Sequence, residues 1–343
     1  MNKLLAIVLV MLATLPAWGQ SDYNTILPAD TALRHGVLPN GFSYYVLSQP
    51  EVGAVNLKLV TKVGSVCETP AESGLAHFLE HMTFEGTTRF PGDSASRMLR
   101  SFGLEMGTDF NATTGFDETE FDIKNLTKGI DAHALRKSML VLRDWASALT
   151  LADSSISKQR RIVEEEWRTG HDYTERMLDT MLTTLMPGSP YAGHLPIGNI
   201  DNVRSFRPEV LRQFYNKWYR PDLQAIFVAG DIDADATVGM IKELFSPLHN
   251  PAGAPERKPS IVPDHKGQRV VVYADDEATS TNVIVSFLHD KPGSTYRNTK
   301  GYYRDMMMRN MATTLLNMRF NDMVRTRHTG LLNGGSTYDD YLV

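Results

Sequence analysis

The stretch GLAHFLEHMTFEGT, residues 74–87, contains two histidines four positions apart with a glutamate between them. The segment 73–84 has the residue pattern of a helix, in which positions i and i+4 lie on the same face. His77 and His81 can therefore reach one metal ion, and two imidazoles suit Zn²⁺ in a tetrahedral shell. Glu80 lies at the edge of that face. There it can take a proton from a water molecule on the metal without being a ligand itself.

A tetrahedral catalytic site needs a third protein ligand, and the helix predicted over 156–183 offers three adjacent glutamates. Three apolar residues predict the buried stripe of this helix: Ile156, Ile162 and Val163. Glu166 follows the last two of these by four and three positions, so it is predicted to point inward. Glu165 lies at the margin of the stripe and is the alternative ligand, whereas Glu164 points away.

The flanking segments predict an α+β fold, in which an antiparallel sheet packs against helices. A hairpin spans 33–48, with its turn at Pro39-Asn40-Gly41. Further strands are predicted at 54–60, 110–116, 121–123 and 223–228, and further helices at 93–102, 131–149, 208–218 and 234–246.

Five prolines between positions 247 and 264 indicate a linker. Beyond it, strands are predicted at 269–273 and 282–287 and a long helix at 301–325. We therefore expect a catalytic domain over 20–246, a linker over 247–264 and an incomplete second domain over 265–343.

The N-terminus has the features of a secretory signal peptide. Lys3 precedes an apolar run over 4–15, and the small residues Ala17 and Gly19 fit a cleavage site, which predicts a signal peptide over 1–19. An uncleaved anchor is the alternative. Later segments lack 18 consecutive apolar residues, so no membrane span is expected in the mature chain. Export with a single cysteine indicates the periplasm of a Gram-negative bacterium.

The charge balance and the cysteine count exclude several classes of function and of site. The 343 residues include 35 Lys and Arg against 40 Asp and Glu, a net charge of −5 that argues against nucleic-acid binding. The single cysteine, Cys67, excludes an internal disulfide and a zinc site built on several thiolates.

Segment 74–87 resembles the zinc motif of the pitrilysin/insulinase metallopeptidases, peptidase family M16. Its order His-x-x-Glu-His is the inverzincin pattern. Other segments resemble the family in the same order along the chain: LPNG at 38–41, NATT at 111–114, IVEEEW at 162–167 and WYRP at 218–221.

The resemblance implies one Zn²⁺ held by His77, His81 and Glu166, with Glu80 as the general base. The family also has a glutamate seven positions before the ligand glutamate, on the same face. Here that position is Gln159, which carries no charge.

The resemblance further implies a zinc-dependent endopeptidase that acts on peptides or small unfolded proteins inside a clam shell of two halves. The substrate is expected to pair with the strand at Asn111, Ala112 and Thr113. This chain would supply the N-terminal portion and work with a second half or a separate partner chain of the same family. The alternative is a non-catalytic, zinc-bound scaffold subunit.

Overall fold

The computed structural model describes residues 23–127, 132–289, 292–326 and 330–338. The predicted signal peptide, 1–19, lies outside the described residues. The chain divides into two compact units, one over Thr31–Asn282 and one that combines residues up to Asp30 with those from Val283. The domain limits drawn from the sequence stay predictions.

A six-stranded sheet organises the first unit, and with its helices it confirms the predicted α+β class. The strands are β1 Leu33–Val37, β2 Ser43–Ser48, β3 Val55–Thr61, β4 Phe110–Thr114, β5 Thr119–Leu126 and β6 Gln224–Gly230. Their order across the sheet is β1-β2-β6-β3-β5-β4. Among the strands of the described residues, β4 lies at the edge of the sheet and pairs with β5 alone.

The sheet is antiparallel, as predicted, at four of its five strand pairs, and it is mixed because the fifth pair is parallel. Strand β6 lies parallel to β2, with Val46 beside Val228, and antiparallel to β3. A parallel pair needs a long crossover between its strands. The chain between β2 and β6 contains β3, β4, β5 and most helices of this unit, and it provides that crossover.

The predicted hairpin is confirmed, since β1 and β2 pair antiparallel around the turn. Gly41 has a φ of +89°, and a Cβ there would lie 2.8 Å from Asp222 Cβ. Asn40 donates through its amide to the carbonyl oxygens of Phe245 at 2.8 Å and Leu248 at 2.9 Å. The turn therefore fixes the end of a helix that is distant in sequence.

The described residues form ten α-helices, of which α9 is the shortest, with four residues. They are α1 Leu75–Thr83, α2 Ser94–Ser101, α3 Ala132–Ser147, α4 Asp153–Gly170, α5 Tyr173–Leu185, α6 Ile200–Ser205, α7 Pro208–Trp218, α8 Ala234–Phe245, α9 Ser294–Arg297 and α10 Lys300–Arg325. Short 3₁₀ turns occur at Ser65–Cys67, Pro70–Glu72 and Pro221–Leu223.

The helix predicted over 156–183 is instead two helices, α4 and α5. Helix α4 ends at Gly170, and Asp172 caps α5 by accepting hydrogen bonds from the backbone N–H groups of Thr174 at 2.8 Å and Glu175 at 3.1 Å. An aspartate at the N-cap position favours the start of a new helix, so α4 and α5 are separate elements.

The core lies between one face of the sheet and the helices. Along β3, Val55, Leu57 and Leu59 are buried, while the alternate residues face the other side. Trp145 of α3 is fully buried, with its ring 5.7 Å from that of Phe121. Helix α1, which carries the two histidines of the candidate site, packs against β4 and β5 and also contacts α4.

The prediction of strands at 269–273 and 282–287 was wrong, because neither segment forms a strand among the described residues. Their apolar side chains are exposed, including Val283 at 86% and Phe287 at 88%. A strand needs a neighbour for its backbone N–H and C=O groups. The alternating pattern alone does not supply one. The helix predicted at 301–325 is confirmed as α10.

Candidate metal centre

Helix α1 carries the two histidines and begins after a glycine that its surroundings require. Gly74 has a φ of +94°, and a Cβ there would lie 2.9 Å from Val203 Cγ2. Within α1, the ring centroids of His77 and His81 lie 4.8 Å apart, and the two ring planes are nearly perpendicular, at 83°. The predicted i, i+4 pair therefore shares one face of α1.

A buried carboxylate holds the start of α1. Glu68 accepts hydrogen bonds from the backbone N–H groups of Gly74 at 2.9 Å and Ala76 at 2.7 Å. These donors have no partner within the helix, so the side chain satisfies them. Burial raises the pKa of Glu68 to about 8, although the hydrogen bonds act in the opposite direction.

Helix α4 brings Glu166 to the histidine pair. Its Oε1 lies 3.6 Å from His77 Nε2 and its Oε2 lies 3.1 Å from His81 Nε2. The three residues offer ligand atoms that all lie within 4.8 Å of one another. Glu166 itself is about half exposed, at 49% of its side chain.

The buried stripe of α4 differs from the predicted one. Ile162 is 41% exposed, and the buried residues are Ile156, Gln159 and Val163. Glu166 follows Val163 by three positions and therefore continues this stripe toward α1. The inward direction predicted for Glu166 agrees with the structure, although Ile162 contributes nothing to it.

The other two glutamates of the run face away from the histidines. Glu165 pairs with Arg168 at 2.6 Å, and Glu164 pairs with Arg204 at 2.8 Å. The geometry therefore favours Glu166 over the alternative ligand Glu165.

The three side chains fit a zinc ion. Two ligands at ~2.0–2.1 Å from zinc, separated by a tetrahedral angle, lie about 3.3 Å apart. The separations of 3.6 Å and 3.1 Å from Glu166 to the two imidazoles are close to that value. Two nitrogens and one carboxylate oxygen are also a donor set that catalytic zinc sites use.

The charge states of the site also suit a cation. Burial lowers the pKa of His77 to about 4, with the neighbouring His81 acting in the same direction, so His77 is neutral near pH 7. The hydrogen bond from His81 lowers the pKa of Glu166. Burial acts to lower the pKa of His81, but the hydrogen bond and the charge of Glu166 outweigh it, so the pKa of His81 is raised. A metal ion would replace the proton that His81 and Glu166 share.

Glu80 lies beside this cluster and is held by β4. It accepts a hydrogen bond from the Thr114 hydroxyl, with 2.6 Å between Thr114 Oγ1 and Glu80 Oε2. Burial raises the pKa of Glu80, while that hydrogen bond acts in the opposite direction. A carboxylate with a raised pKa beside candidate metal ligands is suited to exchanging protons near neutral pH.

A cavity of about 310 Å³ joins the cluster to the edge of the sheet. Its lining residues come from α1, β4, α4 and the loop before α6: His77, Glu80, Ala112, Thr113, Thr114, Glu166, Pro196 and Ile197. Two of the three predicted substrate-binding residues, Ala112 and Thr113, therefore line the cavity. Asn111 is exposed, lies opposite Asp122 of β5 and is not among the lining residues.

The sequence reasoning missed several residues at this site. Thr114 could have been found, because it lies two positions after Ala112 and side chains of a strand alternate between its faces. Pro196 and Ile197 lie in a loop that has no periodic signal. The contacts of Gln159 with His81 and with Glu85 depend on how α4 packs against α1.

Among the residues that the structure describes, no helix combines the length and the apolar character needed to cross a bilayer.

Two family models match the chain in succession. Residues 45–195 match the model described as Insulinase (Peptidase family M16), and residues 205–339 match the Peptidase M16 inactive domain. The first of these matches contains His77, Glu80, His81 and Glu166.

Similar proteins are named as zinc proteases. The probable zinc protease PqqL of Escherichia coli (strain K12) is 30% identical over 335 residues, which are 97% of this chain and 35% of that protein. The zinc protease PQQL-like of Arabidopsis thaliana is 34% identical over 289 residues, 83% of this chain and 30% of that protein. The crystal structure of the periplasmic protease PqqL from Escherichia coli superimposes with a TM-score of 0.64 at 33% identity, covering 70% of this chain and 26% of that one.

The chain thus spans about a third of the length of these relatives. The two matching models belong to the same family and cover most of the chain, and the relatives share its fold and are named zinc proteases. The chain therefore belongs to peptidase family M16.

Proposed function

We propose that this chain is the zinc-binding portion of an exported endopeptidase that hydrolyses peptides or small unfolded proteins. The observation that carries the proposal is the convergence of His77, His81 and Glu166 within 4.8 Å, with Glu80 on the same cavity. One Zn²⁺ would be held by the first three residues, and Glu80 would be the general base.

Zinc in such a site polarises a peptide carbonyl and makes a neighbouring water molecule more acidic. The Glu80 carboxylate takes the proton from the attacking water and then delivers it to the leaving amine. Thr114 holds Oε2 of Glu80, which leaves Oε1 to receive the proton.

Strand β4 is the expected docking edge for a substrate. In the part of the chain that the structure describes, β5 is its one partner strand, so its other edge can accept an extended peptide as an added strand. Ala112 and Thr113 lie on this strand and line the cavity, so a peptide paired there would run past Glu80. Asn111 would contribute through its backbone.

The full activity is proposed to need a second half, contributed by further sequence or by a partner chain of the same family. The relatives are about three times as long as the part that this chain matches. The periplasmic location of the related Escherichia coli protein and the predicted signal peptide support a periplasmic location here.

Metal analysis of the purified chain tests the site. We expect one zinc per chain, its loss in Glu166→Gln and its retention in Glu165→Gln, which removes a carboxylate one position away. A Glu166→Gln protein that keeps full zinc while Glu165→Gln loses it would contradict the assignment.

Hydrolysis of a quenched unfolded peptide tests the catalytic role. In an active assembly, Glu80→Gln should keep zinc and lower kcat by ~10²–10⁴-fold, the usual contribution of a general base. Undiminished turnover in that variant would contradict the mechanism.

The alternative is a zinc-bound scaffold subunit that cleaves nothing. The match of residues 205–339 to an inactive domain favours this alternative for that part of the chain. The two functions are distinguished by assaying this chain beside a version that continues through the length its relatives have. A zinc-loaded longer protein that does not cleave any peptide would support the scaffold.

A further inference from the structure

A chain of three hydrogen-bonded groups lies behind the histidine of α1 that is nearer to Glu166. His81 Nδ1 lies 3.1 Å from Gln159 Oε1, and Gln159 Nε2 donates to Glu85 Oε1 at 2.6 Å. Lys158 donates to the same oxygen of Glu85, also at 2.6 Å. Gln159 is buried and the Glu85 side chain is 13% exposed, while Lys158 reaches solvent.

The direction of each hydrogen bond follows from the acceptor at the end of the chain. The Glu85 carboxylate, which already receives the Lys158 ammonium, can only accept. The NH₂ group of Gln159 must therefore face Glu85, which turns the amide oxygen toward His81. An amide oxygen is also only an acceptor, so the proton of that contact belongs to His81 Nδ1.

A proton on Nδ1 directs the ring of His81 correctly for metal binding. The neutral ring then carries its lone pair on Nε2, the atom that faces Glu166. His77 has no equivalent arrangement, because its buried Nδ1 has no hydrogen-bond partner among the described residues. The orientation of the two histidines is therefore controlled asymmetrically.

We propose that Glu85, acting through the amide of Gln159, is the positioning group that selects the metal-binding tautomer of His81. This inference rests on the zinc site proposed above. The Glu85 carboxylate fixes the orientation of the neutral Gln159 amide, and that amide in turn fixes the tautomer of His81. The tautomer is therefore selected although the side chain at position 159 carries no charge.

Zinc affinity, measured by competition with a chromophoric chelator, tests the proposal without any need for peptidase activity. Gln159→Met removes the acceptor while keeping the side-chain length, and should weaken zinc binding by ~10–100-fold, the usual effect of losing a group that orients a metal ligand. Glu85→Gln keeps a hydrogen-bonding side chain but lets the Gln159 amide face either way, and should weaken binding by about 10-fold.

An exchange of the two residues provides the rescue. In Gln159→Glu combined with Glu85→Gln, a carboxylate at position 159 accepts from His81 Nδ1 and from the amide at position 85. The selected tautomer is thereby restored, and zinc affinity should return to within a few-fold of the wild-type value. Glu165→Gln, an exposed Glu-to-Gln change on the same helix, is the matched control and should leave the affinity unchanged.

Melting of the metal-free proteins separates positioning from folding, since a variant that melts like the wild type reports only on the site. Wild-type affinity in Gln159→Met or in Glu85→Gln would overturn the proposal, as would an exchange variant as weak as Glu85→Gln. Wild-type protein that binds no zinc would instead contradict the proposed function.

Discussion

Thr114 determines how the Glu80 carboxylate is held. Its hydroxyl is 2.6 Å from Glu80 Oε2, and both residues line the same cavity. A hydrogen bond to a charged group contributes ~1.5–3 kcal/mol, more than a neutral one. The orientation of the proposed base therefore depends on a strand residue outside the zinc motif.

We predict that Thr114→Val, which has nearly the same shape, lowers kcat by about 10-fold or more in an assembly that cleaves peptide, because the base loses its donor. Thr114→Ser keeps the hydroxyl and should retain most of the activity. Steady-state kinetics at equal zinc content measures the effect. Equal kcat in the Val and Ser variants would show that the hydroxyl does not position Glu80.

At the scale of elements, the start of α1 depends on a carboxylate that is costly to ionise. Glu68 is buried against the first N–H groups of the helix, and its pKa of about 8 is above the value of ~4.3 expected in the unfolded chain. The folded protein therefore holds a proton that the unfolded chain releases. This contribution to stability is fully present below about pH 4 and is lost as the pH rises to about 8.

We predict that the free energy of unfolding of the metal-free protein decreases from pH 5.5 to pH 7.5 by up to ~1.4 kcal/mol per pH unit relative to Glu68→Gln, whose side chain does not titrate. Urea denaturation of both proteins at several pH values measures the difference. Parallel pH profiles for the two proteins would contradict the prediction.

The junction of α4 and α5 is the second element-scale feature, because Asp172 ends the continuity that the sequence pattern predicted. Asp172→Ala should lower the free energy of unfolding by about 1 kcal/mol, since two backbone N–H groups lose their acceptor. Asp172→Asn keeps an acceptor oxygen and should be nearly neutral. If both variants were as stable as the wild type, the cap would not contribute to the helix start.

At the scale of the whole molecule, the second unit leaves much of its apolar surface in water. Val285 is 73% exposed and Phe287 is 88% exposed, and several methionines of α10 are also exposed, including Met307 at 62% and Met311 at 64%. Large exposed apolar patches on a soluble protein favour association.

We predict that the 343-residue chain self-associates at micromolar concentration and that Val285→Asp with Phe287→Asp shifts it toward the monomer. Size-exclusion chromatography with light scattering measures this shift. Ser294→Asp with Thr295→Asp adds the same charge at exposed polar positions and should change little. Zinc content should be equal in all three proteins, because His77, His81 and Glu166 all lie in the first unit. Equal association of the two double variants would show that charge, not apolar exposure, controls it.

The sequence alone determined the parts of the site that depend on local geometry. His77 and His81 lie on one face because a helix repeats every 3.6 residues, and the edge position of Glu80 follows from the same repeat. The hairpin turn at Asn40-Gly41 and the α10 helix were likewise predictable, since their signals are confined to a few neighbouring residues.

Only the tertiary structure decided what meets across elements. The packing of α4 against α1 brings Glu166 and Gln159 to the histidines through a stripe that includes Gln159 and excludes Ile162. The insertion of β6 beside β2 makes the sheet mixed, and the position of β4 brings Thr114 to Glu80. Such contacts depend on which surfaces bury each other over long sequence separations, and the residue spacing within one element carries no information about that choice.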